Sequence, residues 1–419
     1  MSILLVCMGL FILMISIACL FYNPQYTIIG CVMLIDIDFC FQEYMVQNSY
    51  QAIFKLLILL SVIILILKSR KGISKWIIGL CGILFCISFV LLKKYQLPNF
   101  YLSDVITSFL TTITGFLLMY VTWKEELRIA ALKALAWAAP FSVVMGILLN
   151  GYIFTHENKL SGLDSPASLV IVAAVGVLAC YILSTVYKQS KYFVCGFLNF
   201  VICGLCNMRG GLLFLCVIML GIIFPYLKKI SKKLLQNLIL ILPVFLVLSL
   251  FIGKRIIERM FDMSYSVGNV GDIINTSNRI FAWTEILKAT KQHRILGWGI
   301  GYTKKIDGVW LHYGYRAVHN EYLRWLVESG YIGVIAVILC FILVYLFLKK
   351  YNIGIHQSII NMFFIGFAIF SYTDNTMYGT AGWMTISLML SLMGQNVNKK
   401  GEIVKANMRQ FKIKLRLKN

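Results

Sequence analysis

Apolar runs of about 18 to 25 residues recur along nearly the whole chain, the length at which an α-helix crosses the hydrocarbon of a bilayer. Runs near 3–22, 51–67, 73–92, 103–123, 127–150, 166–187, 191–206, 210–227, 235–252, 322–348, 355–373 and 380–397 predict about twelve spans. The short polar breaks between them hold Lys68, Arg70, Lys71 and Lys75, then Lys124 and Arg128, Lys188 and Lys191, Lys228 to Lys233, and Lys349 and Lys350. These clusters fall on alternate sides of the count, which places them together in the cytoplasm. Among the paired clusters, Lys93 and Lys94 fall on the far side, where long stems at a span end can snorkel. The pattern predicts an all-α, polytopic transmembrane helical bundle, with residues 1–419 as a single membrane domain.

The interruptions add detail. Residues 26–45 are apolar enough to span yet contain Asp36, Asp38 and Glu43. Carboxylates in a membrane are costly unless they face a cavity, so an interfacial or re-entrant segment is expected, with an acid-lined substrate path as the other reading. The N-terminal run has neither a basic leader nor a small-residue cleavage site and reads as a retained first span. Residues 253–321 form the one large hydrophilic loop, expected to be extracytoplasmic and helical. The count puts residues 151–165 and the junction Met208-Arg209-Gly210-Gly211 on that same side. Residues 398–419 form a basic tail, with one Glu402 among eight Lys and Arg, expected to lie on anionic lipid in the cytoplasm.

Composition narrows the class. With 60% hydrophobic residues, 13% charged and a mean hydropathy of +0.82, a soluble fold could not hide its apolar surface. The net charge of +22 sits in clusters between apolar runs and not in one stripe, which argues for topology signals and against nucleic acid. Nearly all of the twelve cysteines lie in apolar stretches and act as small hydrophobes. Cys203 and Cys206 form a C-x-x-C without a second pair, too little for a zinc or redox site.

Within the long loop, Ser277 or Asn278 is placed to cap a helix through Arg279, Trp283, Ile286, Leu287 and about Gln292. Gly297, Gly299 and Gly301 then break it, and a Tyr-rich stretch leads to His319 and Asn320. Gly-x-Gly-x-Gly alone is weak evidence for phosphate binding. Taken in order, Asn278-Arg279-x-x-x-Trp283, Leu296-Gly297-Trp298-Gly299-Ile300-Gly301, His319-Asn320-Glu321-Tyr322-Leu323 and Glu328-Ser329-Gly330-Tyr331-Ile332-Gly333 resemble the signature of the O-antigen ligase and O-antigen polymerase superfamily. Met208-Arg209-Gly210-Gly211 resembles that family's Ser-Arg-Gly element, with Met208 lacking the hydroxyl but the arginine kept.

The resemblance implies a metal-independent glycosyl transfer without a cofactor, on the outer face of the bacterial cytoplasmic membrane. The donor would be an undecaprenyl-diphosphate-linked oligosaccharide, the acceptor a glycan or lipid-linked glycan, and the partners a flippase and a chain-length regulator besides membrane lipids. A leaving diphosphate needs its charge held, and arginine does so with a planar fork of donors, so Arg209 and Arg279 are the candidates. The attacking hydroxyl needs a base, and His319 is the candidate. Asn320, Tyr322, Trp283, Arg316, Arg324 and Tyr315 are possible substrate contacts, as are Tyr302, Trp310 and Tyr313 for sugar stacking. Asp374 and Asn375, in the turn before the last span, are placed to touch acceptor sugar.

Each has a plainer reading: arginines at span ends anchor to headgroups, a histidine caps a helix, and Tyr322 and Trp325 belong to an aromatic belt. The tyrosines of the loop lean towards a polymerase of surface polysaccharide (O-antigen, capsule or exopolysaccharide) over a ligase onto lipid A-core. A multi-span solute transporter is the alternative from another class, and a scaffold a third. A transporter predicts internal repeats, and none is visible in the sequence.

Overall fold

The computed structural model of the chain describes residues 11, 14–35, 49–68, 102–150, 154–155, 159–162, 165–227, 279–305, 318–377 and 379–394. Among these the structure is helical, apart from isolated bridges that pair Phe154 with Leu160 and Asn352 with Gly394. In chain order the helices are α1 (Pro24–Ile35), α2 (Ser49–Lys68), α3 (Leu102–Leu118), α4 (Glu125–Asn150), α5 (Pro166–Thr185), α6 (Tyr192–Leu205) and α7 (Arg209–Leu227). Then follow α8 (Arg279–Thr290), a 3-10 turn (Tyr302–Lys305), α9 (Glu321–Lys350), α10 (Gln357–Thr373) and α11 (Thr380–Met393).

The all-α class expected from the apolar runs holds for the described residues. Three helical stretches, Glu125–Leu148, Pro166–Thr185 and Glu321–Lys350, are long and apolar enough to cross a membrane. Shorter apolar helices accompany them, among them Tyr192–Leu205, Arg209–Pro225, Gln357–Thr373 and Thr380–Met393. The runs at 73–92 and 235–252, most of 3–22, loop residues 253–278 and the basic tail lie outside the described residues, as do Asp36, Asp38 and Glu43. The described part of α1 has 12 residues.

Side-chain pattern decides where each helix sits. Helix α5 is apolar all round and nearly every residue from Leu169 to Leu183 is buried, so it forms the centre. Helix α9 instead turns Ile335, Ile338, Leu339, Ile342 and Leu346 outward, a continuous apolar face suited to lipid. Helices α7 and α10 run antiparallel: a Cβ at Gly210 would meet Thr373 and Phe370, and one at Gly221 would meet Ser358 and Ile359. Small residues let two helices approach closely where no water is available to drive them together.

The two ends of the bundle differ. At one, the starts of α5, α7, α9 and α11 gather around the end of α10: Gly211 packs on Val170, Gly382 on Ile171, and Glu321 accepts from the Met377 backbone. At the other, Tyr187 donates to Glu125 at 2.7 Å, Arg128 donates to Glu125 and to the Gly394 carbonyl, and Trp123 donates to Ser391. Lys124, Lys188, Lys191, Lys349 and Lys350 flank this second end. The described basic loops therefore lie at the end of the bundle away from His319.

Candidate active site

Helix α9 is two helices joined at a break. Gly330 adopts φ 61° and ψ −165°, so the carbonyls before it and the N–H groups after it lose their intrahelical partners. The loop supplies them. Trp298 and Gly299 donate their N–H groups to the carbonyls of Val327 and Glu328, both at 2.8 Å, while the carbonyls of Arg294 and Ile295 accept from Tyr331 and Ile332 at 2.8 and 3.2 Å. The fit tolerates no side chain: a Cβ at Gly330 would lie 2.3 Å from the Ile295 carbonyl oxygen, and one at Gly297, φ 70°, would lie 2.5 Å from Ser329 N. The two glycine motifs, far apart in sequence, are thus halves of one joint, and its N–H groups at 298 and 299 bind helix carbonyls and not phosphate.

Above the joint, Ile286, Val318 and Val327 form a small core with Trp298, Tyr302 and Leu323 packed on it. Two indoles pin it: Trp283 donates to the Val318 carbonyl at 2.8 Å, and Trp298 donates to the Ala289 carbonyl at 3.0 Å while stacking on Tyr302 at 4.8 Å. Tyr302, a sugar-stacking candidate, is here part of the loop's own packing.

Trp283 holds the residue next to His319. His319 has φ 51°, uncommon for a side chain of its size, and Asn320 follows as the N-cap of α9, accepting from Leu323 N at 3.1 Å. His319 Nδ1 lies 3.1 Å from Asp374 Oδ1. With an ionised Asp374 as acceptor, Nδ1 carries the proton and donates, and Nε2 is the basic nitrogen.

Three consecutive residues at the end of α10 then collect three motifs. Tyr372 meets the Trp283 ring edge-on at 5.5 Å, Thr373 is the neighbour of Gly210, and Asp374 holds His319. Arg209, the first residue of α7, is thereby next to the Thr373 contact, and Arg279 opens α8 one turn before Trp283. His319, Trp283 and Arg209 are brought to one place; Arg316 and Tyr315, like Trp310 and Tyr313, lie outside the described residues.

The other candidates have visible places. Asn320 is buried with its side-chain oxygen in the cap. Tyr322 donates to the Ala368 carbonyl at 2.9 Å and stays partly exposed. Arg324 is buried between Glu321 at 2.7 Å and Glu328 at 3.1 Å, with its guanidinium over Trp325. Beside this group a cavity of ≈ 270 Å³ opens between α9 and α10, lined by Tyr322, Trp325, Phe341, Phe367, Ser371 and Met377. Its lining is almost wholly apolar, and it runs from the Asp374 turn towards mid-helix.

Cys203 donates to the Val170 carbonyl and both it and Cys206 are buried, small groups in helix packing.

Residues 194–338 match the family model described as O-antigen ligase. The superfamily resemblance read from the motifs is thereby borne out. The matched segment takes in Arg209, Arg279, Trp283 and His319, and stops short of Asp374. A protein of Haemophilus influenzae (strain ATCC 51907 / DSM 11121 / KW20 / Rd), described as uncharacterized, is 27% identical over 254 residues, which are 52% of this chain and 61% of that protein.

Sequence reading placed Asp374 near acceptor sugar and missed its partner, His319. It also missed Tyr372 and the glutamates that enclose Arg324. The spacing of Glu321 and Glu328 at i−3 and i+4 from Arg324 was the available signal.

Proposed function

We propose that this chain is a membrane glycosyltransferase that moves a glycan from an undecaprenyl-diphosphate donor to a sugar hydroxyl. The observation that carries the reading is the convergence at Tyr372–Thr373–Asp374 of three motif segments from an O-antigen ligase-type sequence. His319 Nε2 takes the proton of the acceptor hydroxyl as that oxygen attacks the anomeric carbon. The bond from that carbon to the diphosphate oxygen breaks, and the lipid diphosphate leaves with the electron pair. Asp374 keeps the proton on Nδ1 and offsets the charge that His319 gains, as a carboxylate does behind a histidine base. Arg209 and Arg279 receive the diphosphate charge. One displacement from the opposite face inverts the anomeric centre. The isoprenoid lies in the apolar cavity between α9 and α10, whose lining includes Ser371 and Met377 on either side of Asp374 in sequence.

The positive-inside rule assigns the basic end to the cytoplasm and the His319 end to the outer face of the bacterial cytoplasmic membrane. About twelve spans in all are part of this proposal, as is polymerisation of surface-polysaccharide repeats beside a flippase and a chain-length regulator. Transfer to lipid A-core is the second reading, favoured by the description of the matching family as O-antigen ligase.

The test is direct. Purified protein in detergent receives a synthetic undecaprenyl-diphosphate oligosaccharide, with EDTA and with or without lipid A-core. Lengthened glycan supports the polymerase, and glycan on lipid A-core the ligase. Unchanged donor with folded protein removes the transfer reading. A cysteine-accessibility map that puts residues 279–305 in the cytoplasm removes the orientation.

A further inference from the structure

Three ionisable side chains are shut inside the protein at the start of α9, and the proposed chemistry does not use them. Glu321, Arg324 and Glu328 are 0%, 2% and 1% exposed. Taking such charges out of water is costly, and a buried pair of this kind is weak evidence for added stability. Their geometry shows instead what they hold. Glu321 Oε2 accepts from Arg324 Nε at 2.7 Å, and its Oε1 accepts from the Met377 backbone N–H at 2.7 Å. Met377 stands three residues beyond Asp374.

Segments 319–321 and 374–377 therefore lie side by side with a bond at each end, His319 to Asp374 and Glu321 to Met377. The second segment is stiffened from within: Asn375 N–H donates to Asp374 Oδ1 at 2.8 Å, and the hydroxyls of Ser371 and Thr376 are 2.7 Å apart. Behind Glu321 the chain of contacts continues through Arg324 Nη1 to Glu328 Oε2 at 3.1 Å, and from Glu328 Oε1 to the Thr303 hydroxyl. Thr303 belongs to the loop, so the same buried charges join the loop to the turn that carries Asp374.

We infer that Glu321, fixed by Arg324 and Glu328, is a positioning residue that sets the Asp374 turn against His319. Its consequence for catalysis rests on the reading of His319 as the base; the geometric coupling does not. A carboxylate is required at 321 because two donors meet it, one on each oxygen. Glutamine offers one acceptor oxygen and turns its NH2 towards one of those donors. Glu321→Gln is also close in shape and leaves Arg324 paired with Glu328, so the fold survives while one bond is lost.

The coupling is read without substrate. Full-length protein in detergent is treated with diethylpyrocarbonate, and carbethoxylation of His319 is followed by mass spectrometry, with exposed His356 at the opposite end as the internal reference. Nε2 attacks the reagent and is more nucleophilic for the Asp374 carboxylate behind Nδ1–H, so Glu321→Gln and Asp374→Ala each lower the His319 rate about fivefold, the change that the net worth of one hydrogen bond corresponds to. The double variant reacts no slower than the slower single one, because both act through one contact. Arg128→Gln, which breaks the ion pair of buried Arg128 with partly exposed Glu125 at the basic end, lowers the melting temperature and leaves the His319 rate unchanged. A wild-type His319 rate in Glu321→Gln, or a double variant showing the product of the two single effects, overturns the inference. In the transfer assay the same variants lower kcat and leave KM for the donor unchanged. If the carbethoxylation pattern holds while wild-type protein transfers nothing, the coupling stands and the glycosyl-transfer reading has failed.

Discussion

His319 Nδ1 sits 3.1 Å from Asp374 Oδ1, across a separation of 55 residues, and the same carboxylate oxygen accepts from Asn375 N–H. The contact joins the start of α9 to the end of α10 where the motif segments meet. His319→Ala removes the proposed base and should lower kcat about 10²- to 10⁴-fold, the range general-base catalysis supplies. Asp374→Ala leaves the imidazole in place without its orienting partner and should cost less. The double variant should be no slower than His319→Ala, since the two act as a unit. Single-turnover transfer on protein of unchanged melting temperature checks this; full activity in His319→Ala removes it from the mechanism.

The arginines separate by charge and by shape. If Arg209 and Arg279 receive a leaving diphosphate, replacement by lysine keeps the charge but loses the planar fork. Arg209→Lys and Arg279→Lys should then retain donor binding within a few-fold while kcat falls about 10-fold or more, and the alanine variants should fall further. Donor affinity measured beside the turnover rate distinguishes this from headgroup anchoring, which lysine would serve as well as arginine.

Much of this was legible in the sequence, and the gaps have physical causes. Apolar run length set helix positions to within a few residues, because a membrane helix needs that length to cross, whereas the caps at Ser165 and Asn320 were seen only in the structure. The motifs pointed to His319, Arg209 and Trp283. Periodicity relates residues on one helix, so it says nothing of His319 facing Asp374 from another, nor of Gly297 seated against Glu328. Arg324 is a related case: a position five residues after the proposed base suggests substrate, whereas burial between two glutamates emerges only when the third dimension is known.

At the basic end, burial and the hydrogen bond to Glu125 push the Tyr187 phenol up to about 12. An unfolded chain releases that proton near pH 10, so between about 10 and 12 the folded state holds a proton that the unfolded one has lost. The contribution is fully present below about pH 10 and is lost as pH rises through about 12. Wild-type protein should therefore lose melting temperature across that window, and Tyr187→Phe should start lower and show a shallower fall. Equal slopes in the two proteins, followed by thermal unfolding in detergent at pH 9, 10.5 and 11.5, would remove Tyr187 as the source.

The joint at Gly330 gives a prediction about the loop alone. Its φ of 61° disfavours any side chain, and a Cβ there would press on the Ile295 carbonyl, so Gly330→Ala carries strain of about 1–3 kcal/mol at the backbone. The bundle helices do not depend on that angle, whereas four backbone hydrogen bonds between residues 294–299 and 327–332 do. Strain should be relieved by opening the joint, since those bonds are what hold Gly330 at that angle. Amide exchange should then quicken in residues 294–303 and spread to Val318, whose carbonyl is held by Trp283, while α5 stays protected. Activity should fall because His319 follows Val318 directly. If exchange instead quickened throughout α5, the break in α9 would belong to the folding core, and the loop could not be treated as a separate unit docked on it.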